Sequence, residues 1–510
     1  MLKRWIFALA TLCAIAAASP AAAEWKRAES ERFIVYSQGG ERELVTYVQK
    51  LETFDYIVRL RLGLSTDAPP RKFPVYLLRN RRDLLQVLPG AGENIQGVYI
   101  PRNDDIFALS MTGGDHTLLH EYFHHLSIAT GGLAAYPGWL VEGLAEYYAT
   151  ADVLQSRVTL GGYEDNTAYW LSQSSWLPLE TLLTERPSVI NTSAVAPTYY
   201  PVAWLLTHYF MNDESRRPLL QAYVRDVSAG GDPVEAMQRA TGMDLAALKT
   251  ELRGYMRDRI TLTRYSFQRA PAEITVTTLP PSADDLLLIG QRLSDGVADE
   301  DKAPTLAAIR TAAARYPDDA FALLQLGRAE MDLGDKAIGE ATLQRVLEIE
   351  PANVGALQRL AAERIDHARD ETDYQASLAT IREARAYLAR AYQADPTHFY
   401  TLQMLAETRQ WSQSYPNDND LLTWDQAFNL APQLPNIRFG YANALMQAGK
   451  NDEAIILMKP IANAPHNDGQ AEAAQQMIDR ALAGQAPLSQ EALDAAADEP
   501  SEPVDEPAPQ

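Results

Sequence analysis

The chain has 510 residues, long enough for two to four domains with sizeable cores. Hydrophobic residues make up 46% and charged residues 22%, which argues against wholesale disorder and against a polytopic membrane protein. Lys plus Arg number 45 against 67 Asp plus Glu, a net charge of -22, so the chain lacks the basic face that phosphate contact needs and is expected to bind no nucleic acid.

At the N-terminus, Lys3 and Arg4 precede an apolar stretch from Trp5 to Ala18, followed by Ser19-Pro20 and Ala21-Ala22-Ala23 before Glu24. This is the order of a secretory signal peptide over residues 1–23, cleaved after Ala23. Its apolar core of about 14 residues is short of the ~20 that span a bilayer. The single cysteine, Cys13, lies inside it, so no intramolecular disulfide or Cys-based zinc finger is expected. Leu12 stands where a lipoprotein signal wants a small residue. The expected location is periplasmic or secreted, with no stable membrane insertion.

Phe33-Ile34-Val35-Tyr36 reads as a strand, and Arg42 to Leu62 as a helix with apolar residues Leu44, Tyr47, Val48, Leu51, Phe54, Ile57 and Leu60, ending before Gly63. Phe73 to Leu77 is predicted as a second strand. Gly97 to Ile100 and Ile106 to Ser110 form two more, joined by the polar turn Pro101 to Asp105. Mostly helical signals follow, so residues 24–268 read as one α+β domain. Residues 270–282, with Pro271, Pro280 and Pro281, read as a linker.

Beyond residue 283 the pattern is helical and repeats. Pro317, Pro351, Pro396, Pro432 and Pro465 recur at spacings of 34, 45, 36 and 33 residues. The clearest unit, Ala320 to Pro351, has Leu326-Gly327 in a first helix, a turn at Gly334-Asp335, Ala341 and Leu343 in a second helix and a closing proline. The unit from Gln433 to Pro465 repeats the scheme with Ala442, Gly449 and Ala454, and the interval Pro351–Pro396 carries an insertion. Small residues let two antiparallel helices approach, and the proline ends the second. The pattern resembles the tetratricopeptide repeat, which implies an all-α solenoid over 283–482 that recruits a protein partner along its concave surface. From 484 to 510 the chain is Ala, Pro and seven carboxylates without a basic residue, and is predicted to be disordered.

The chemistry concentrates at residues 120 to 146. His120-Glu121-Tyr122-Phe123-His124 matches H-E-x-x-H, with Asp115 as a candidate cap and Gly131-Gly132 as a helix end. Residues i and i+4 of a helix lie about 6 Å apart on one face, so two imidazoles can close on one zinc ion. Glu121, rotated by about 100°, stands beside the metal, where it can take a proton from its water. His116 shares the stripe, but the three histidines together span too far for one ion; only the 120/124 pair encloses a glutamate. His116 and His125 are read as polar supporting side chains.

Glu142, 18 residues after His124 in a second predicted helix from Pro137 to Glu146, is the candidate third ligand, with Gly143 and Ala145 allowing close packing beside the metal. Glu146, one turn on, can accept the free N–H of a ligand imidazole. His120 to His124 followed by Trp139-Leu140-Val141-Glu142-Gly143-Leu144-Ala145-Glu146 resembles the gluzincin zinc metallopeptidases, in particular their peptidase-MA-like domains.

That resemblance implies a zincin-like domain with a small N-terminal sheet. It implies Zn²⁺ on His120, His124 and Glu142, and Glu121 as general base and acid. It further implies an antiparallel edge strand binding an extended peptide, for which Ile106 to Met111 is the candidate. An oxyanion-stabilising side chain is expected from a later helix; Tyr200 is chosen, with Tyr199 and His208 as competitors. The G-x-M-E-N stretch of this clan's aminopeptidases is absent between Glu93 and His120, which favours endopeptidase action on a peptide or protein substrate. The alternative is a non-enzymatic periplasmic repeat scaffold with a structural or vestigial zinc site.

Overall fold

The structure is a computed structural model of the chain and describes residues 24–93, 95–130, 136–154, 156–185, 190, 195–257, 260–462, 468–489 and 492. The signal-peptide reading of residues 1–23, Gly131-Gly132, Pro465 and nearly all of the acidic tail beyond 489 lie outside those residues.

The N-terminal part runs β1 (Lys26–Glu29), β2 (Phe33–Ser37), α1 (Glu41–Leu62), β3 (Phe73–Leu78), α2 (Arg81–Val87), β4 (Gly97–Pro101), β5 (Ile106–Met111), α3 (Asp115–Ala129) and α4 (Gly138–Ala149). Then come β6 (Asp152–Leu154), β7 (Arg157–Leu160), α5 (Asp165–Gln173), α6 (Leu179–Thr184), α7 (Tyr199–Met211), α8 (Arg217–Ser228), α9 (Pro233–Thr241), α10 (Leu245–Arg257), β8 (Thr263–Ser266) and β9 (Thr275–Thr278).

Six strands form a mixed sheet in the order β4-β5-β3-β2-β1-β9. β2, β3 and β5 run parallel, and β4, β1 and β9 pair antiparallel with their neighbours. Strand alternation sends successive side chains to opposite faces. Phe73, Val75, Leu77, Ile106 and Ala108 face one core with α1, α3 and α4, whereas Tyr76, Leu78, Phe107 and Leu109 face a second with Trp25 and α2. With both faces covered, every residue of β3 is buried.

Several expectations are corrected. Residues 270–282 are no plain linker: the β-branched run Thr275 to Thr278 is edge strand β9, paired to β1 from Lys26↔Thr278 to Glu29↔Thr275. Its prolines stand outside the strand, where they remove no ladder bond. A small second sheet, β6-β7-β8, adds strands to a segment read as mostly helical. The edge strand beside α3 is β4; Ile106–Met111 lies inside the sheet between β4 and β3. In α1, Leu60 is 54% exposed, while Glu52, Asp55 and Arg59 are buried. Asp115 does not cap α3: it is the first helical residue, pairs with Lys50, and Gly114 holds the cap position.

The rest is all helical: α11 (Ala283–Asp295), α12 (Asp299–Ala313), α13 (Ala320–Leu333), α14 (Lys336–Ile349), α15 (Val354–Asp370), α16 (Tyr374–Ala394), α17 (Phe399–Thr408), α18 (Asp418–Leu430), α19 (Pro435–Gln447), α20 (Asn451–Ala462) and α21 (Asp468–Leu482). Each helix packs on the next, and α11, α13, α15 and α17 also pack on one another in turn. This is the arrangement of stacked helix pairs that the proline period predicts. The insertion between Pro351 and Pro396 is absorbed by length: α15 and α16 have 17 and 21 residues against 14 in each of α13 and α14. Residues 484–489 are not free of the fold, because Leu488 packs on the α19–α21 core and its carbonyl accepts from Asn443 at 3.2 Å.

The two parts are not separate bodies joined by a tether. Ala283, Leu287 and Leu288 of α11 belong to the second core of the sheet. Phe399, Leu402, Ala427, Ala431, Leu434 and Ile437 belong to the first.

Candidate metal centre

α3 and α4 pack against each other, and α4 packs in turn on α7. Each brings one part of the site. His120 and His124 project from one face of α3 with ring centroids 4.7 Å apart. Glu142, fully buried on α4, faces both.

Three donor atoms converge. His120 Nε2 and His124 Nε2 are 3.0 Å apart, and Glu142 Oε2 lies 3.4 Å from the first and 3.3 Å from the second. A tetrahedral zinc ion with bonds of about 2.0–2.1 Å requires donor–donor edges of about 3.3–3.4 Å. The triangle therefore has the size of one face of that tetrahedron, and His120, His124 and Glu142 are the described residues whose donor atoms group in this way.

Glu146 carries the next layer. One carboxylate oxygen lies 3.1 Å from His120 Nδ1 and the other 3.5 Å from His116 Nε2. An Nδ1–H donated to Glu146 fixes the tautomer in which His120 Nε2 is a lone pair. That lone pair faces the carboxylate of Glu142 and the ring of His124, so the three acceptors need a shared positive charge between them, a proton on His120 or a metal ion. A buried carboxylate is costly without such compensation. Burial pulls His120 down, but the carboxylates of Glu142 and Glu146 outweigh it and hold the imidazole well above its usual value. Burial raises Glu146, yet His116 and His120 reverse this and hold it below the usual carboxylate range.

The other predicted residues fall into place as follows. Glu121 is half-buried on α3 and, among the described residues, no hydrogen bond or ion pair takes up its carboxylate. Tyr200 opens α7 with its ring centroid 6.5 Å from that of His120, within electrostatic reach of Glu142, Glu146 and Glu121. Burial, followed by Glu142, pushes its phenol well above the usual range, so it keeps its proton. Tyr199 is more deeply buried and stacks edge-on to Tyr200.

His208 stands two turns further along α7, packed on Trp204 and Tyr147, with Nδ1 2.7 Å from the Tyr255 hydroxyl. That places it in a separate aromatic cluster rather than at the triad. His125 is also structural: Nδ1 is 3.1 Å from the Tyr99 hydroxyl, the ring lies on Phe73, and burial lowers it to about 3.

Gly143 was expected to make room beside the metal; its close neighbour is α7. A Cβ there would come 2.2 Å from Thr207 Oγ1 and 2.6 Å from the Ala203 carbonyl. The glycine thus sets the distance between the helix bearing Glu142 and the helix bearing Tyr200.

One supporting group escaped the sequence reading. On the far side of α3, the Tyr122 hydroxyl donates to Asp55 at 2.7 Å. Asp55 pairs with Arg59 and Arg32 at 2.8 Å each, and Glu52 joins through Arg32 at 3.3 Å and Arg269 at 3.1 Å. This buried network locks the rotation of α3 about its axis. The signal for it was the i, i+3, i+7 spacing of Glu52, Asp55 and Arg59, which puts three charges on one helical face.

No protein-family model matches the chain, and no curated protein matches it. Among solved structures, the chain is similar to a thermophilic TPR protein from Thermus thermophilus, with 20% identity over 40% of this chain and 99% of that one and a TM-score of 0.32. It is also similar to MamA, with 16% identity over 34% of this chain and 94% of that one and a TM-score of 0.27.

Proposed function

We propose that the protein is an exported zinc-dependent metallopeptidase of gluzincin type, acting as an endopeptidase. The observation that carries this reading is the triangle of His120 Nε2, His124 Nε2 and Glu142 Oε2 with edges of 3.0–3.4 Å. Two imidazoles and one carboxylate are the donor set of a catalytic zinc that keeps a position open for chemistry. Export rests on the charged, apolar, small-residue order of residues 1–23.

Bound there, zinc would supply a Lewis acid that activates water and polarises the scissile carbonyl. The chain's own residues would do the rest. Glu121, with no protein partner among the described residues, receives the proton of the attacking water and returns it to the leaving amine. Tyr200 donates its hydroxyl proton as a hydrogen bond to the oxygen on which negative charge develops. Glu146 keeps His120 in the ligating tautomer, and the network through Tyr122 keeps α3 in register.

The test is zinc quantification on the purified chain together with digestion of casein or a peptide library, with and without chelator. Glu121→Gln is expected to retain zinc and lose roughly 10²–10⁴-fold in turnover. A chain without zinc, or a Glu121→Gln variant as active as the parent, rules out the peptidase. Retained zinc with no hydrolysis in the parent chain points instead to a repeat scaffold with a structural zinc site. Among the described residues no helix is long and apolar enough to cross a membrane.

A further inference from the structure

The turn between β4 and β5 does not project into solvent; it meets the first helices of the stacked pairs. Arg102 reaches Asp295 at the end of α11 through Nε at 3.1 Å and Nη2 at 2.8 Å. Asp104 accepts from Ser294 of α11 at 3.0 Å and from Arg328 of α13 at 3.1 Å. Arg359 of α15 and Tyr400 of α17 lie within its electrostatic reach. Asp105 is held by Arg71 at 2.9 Å, and the Arg71 guanidinium lies 5.1 Å over the ring of Phe399 in α17.

Two successive first helices, α11 and α13, thus bond one four-residue turn directly, α17 meets it through Arg71, and each carboxylate has a guanidinium. From the same hairpin, Tyr99 in β4 bonds His125 of α3 at 3.1 Å. Gly97, at the start of β4, lies so close to α3 that a Cβ there would stand 3.3 Å from Thr117. β4 ends the sheet, with β5 on one side only.

We infer that the face made by α11 and α13, with α17 reached through Arg71, is a clamp for the chain's own β4–β5 turn, and that through it the helix pairs set the position of edge strand β4 against α3, the helix that carries His120 and His124. Resting on the peptidase reading, β4 is then the strand along which an extended peptide would pair by backbone hydrogen bonds. The repeats then act as a positioning element of the site.

The experiment uses the full chain. Asp104→Lys puts a cation against Arg328. Amide exchange across residues 97–111 is expected to rise about tenfold, with zinc content unchanged. Arg102→Glu loosens the turn less, and the exchanged pair Arg102→Glu/Asp295→Arg restores protection. With an extended peptide, KM is expected to rise roughly fivefold in Asp104→Lys, with kcat nearly constant.

Exchange in Asp104→Lys equal to the parent, or an exchanged pair as open as Arg102→Glu alone, overturns the clamp. Raised exchange with unchanged KM overturns the link to substrate. If Asp104→Lys fails to fold, the Arg102 pair decides. If the parent chain cleaves no peptide, the peptidase reading fails while the exchange measurement still decides the clamp.

Discussion

Five helices of the repeat region begin differently from the helices of the metal centre. Asp319, Asp335, Asn353, Asp373 and Asn417 each accept from a backbone N–H in the first turn of α13, α14, α15, α16 and α18. α3, α4 and α7 start at Gly114, Pro137 and Thr198 with no side-chain cap. Burial differs in the same sense. The repeats bury mainly apolar residues, with a few scattered charges such as Glu330 and Asp420, while the centre concentrates Glu142, His120, Glu146, Glu52 and Asp55. A side-chain cap stabilises a repeat helix from within its own first turn, whereas the buried charges of the centre need partners from other elements.

The sharpest way to break this comparison is to remove a convergent ligand. His124→Ala or Glu142→Ala is expected to abolish zinc binding, measured by metal content after dialysis, whereas no single change in a repeat helix should do so. Glu146→Gln keeps the shape but loses the charged acceptor for His120. Zinc affinity is expected to fall about 10–100-fold, read by competition with a chromophoric chelator.

Matched glycine changes test the packing. In Gly143→Ala the new Cβ meets the Ala203 carbonyl as well as Thr207, and backbone cannot yield cheaply. A loss of about 1–3 kcal/mol is expected from denaturant titration, together with reduced activity. In Gly327→Ala the contacts are Leu343 side-chain atoms at 2.7 and 2.8 Å, with the backbone no closer than 3.4 Å, so a smaller loss and no effect on zinc are expected.

His398, between α16 and α17, gives a pH test. Burial lowers it to about 4, and Nδ1 lies 3.0 Å from Gln358. The unfolded chain therefore binds its proton near pH 6.5 and the folded chain only near pH 4. Its contribution is constant above pH 6.5, and stability falls by about 1.4 kcal/mol per pH unit between those values as pH drops. His398→Asn should flatten that acid limb in thermal melts. The smallest effect sharpens the capping contrast: Asn353→Ala should cost about 1 kcal/mol, visible as a lower denaturation midpoint.

Much of this was legible in the chain itself. The short β-branched and aromatic runs placed four strands, and the prolines with Gly334-Asp335 placed the helix pairs, because those signals act within a few residues. The H-E-x-x-H spacing put His120 and His124 on one face, since helical geometry alone decides that. What lay beyond the sequence was every distance set by a third element. Whether Glu142 meets that pair depends on the path between α3 and α4, and Gly143 turned out to serve α7. Thr275 to Thr278 carried a strand signal, but β9 exists only because β1 offers it an edge. That the β4–β5 turn sits against the repeat helices α11 and α13 has no local signature at all: Asp104 and Arg328 are ordinary surface residues in the sequence, and become partners only when α11 closes over the sheet.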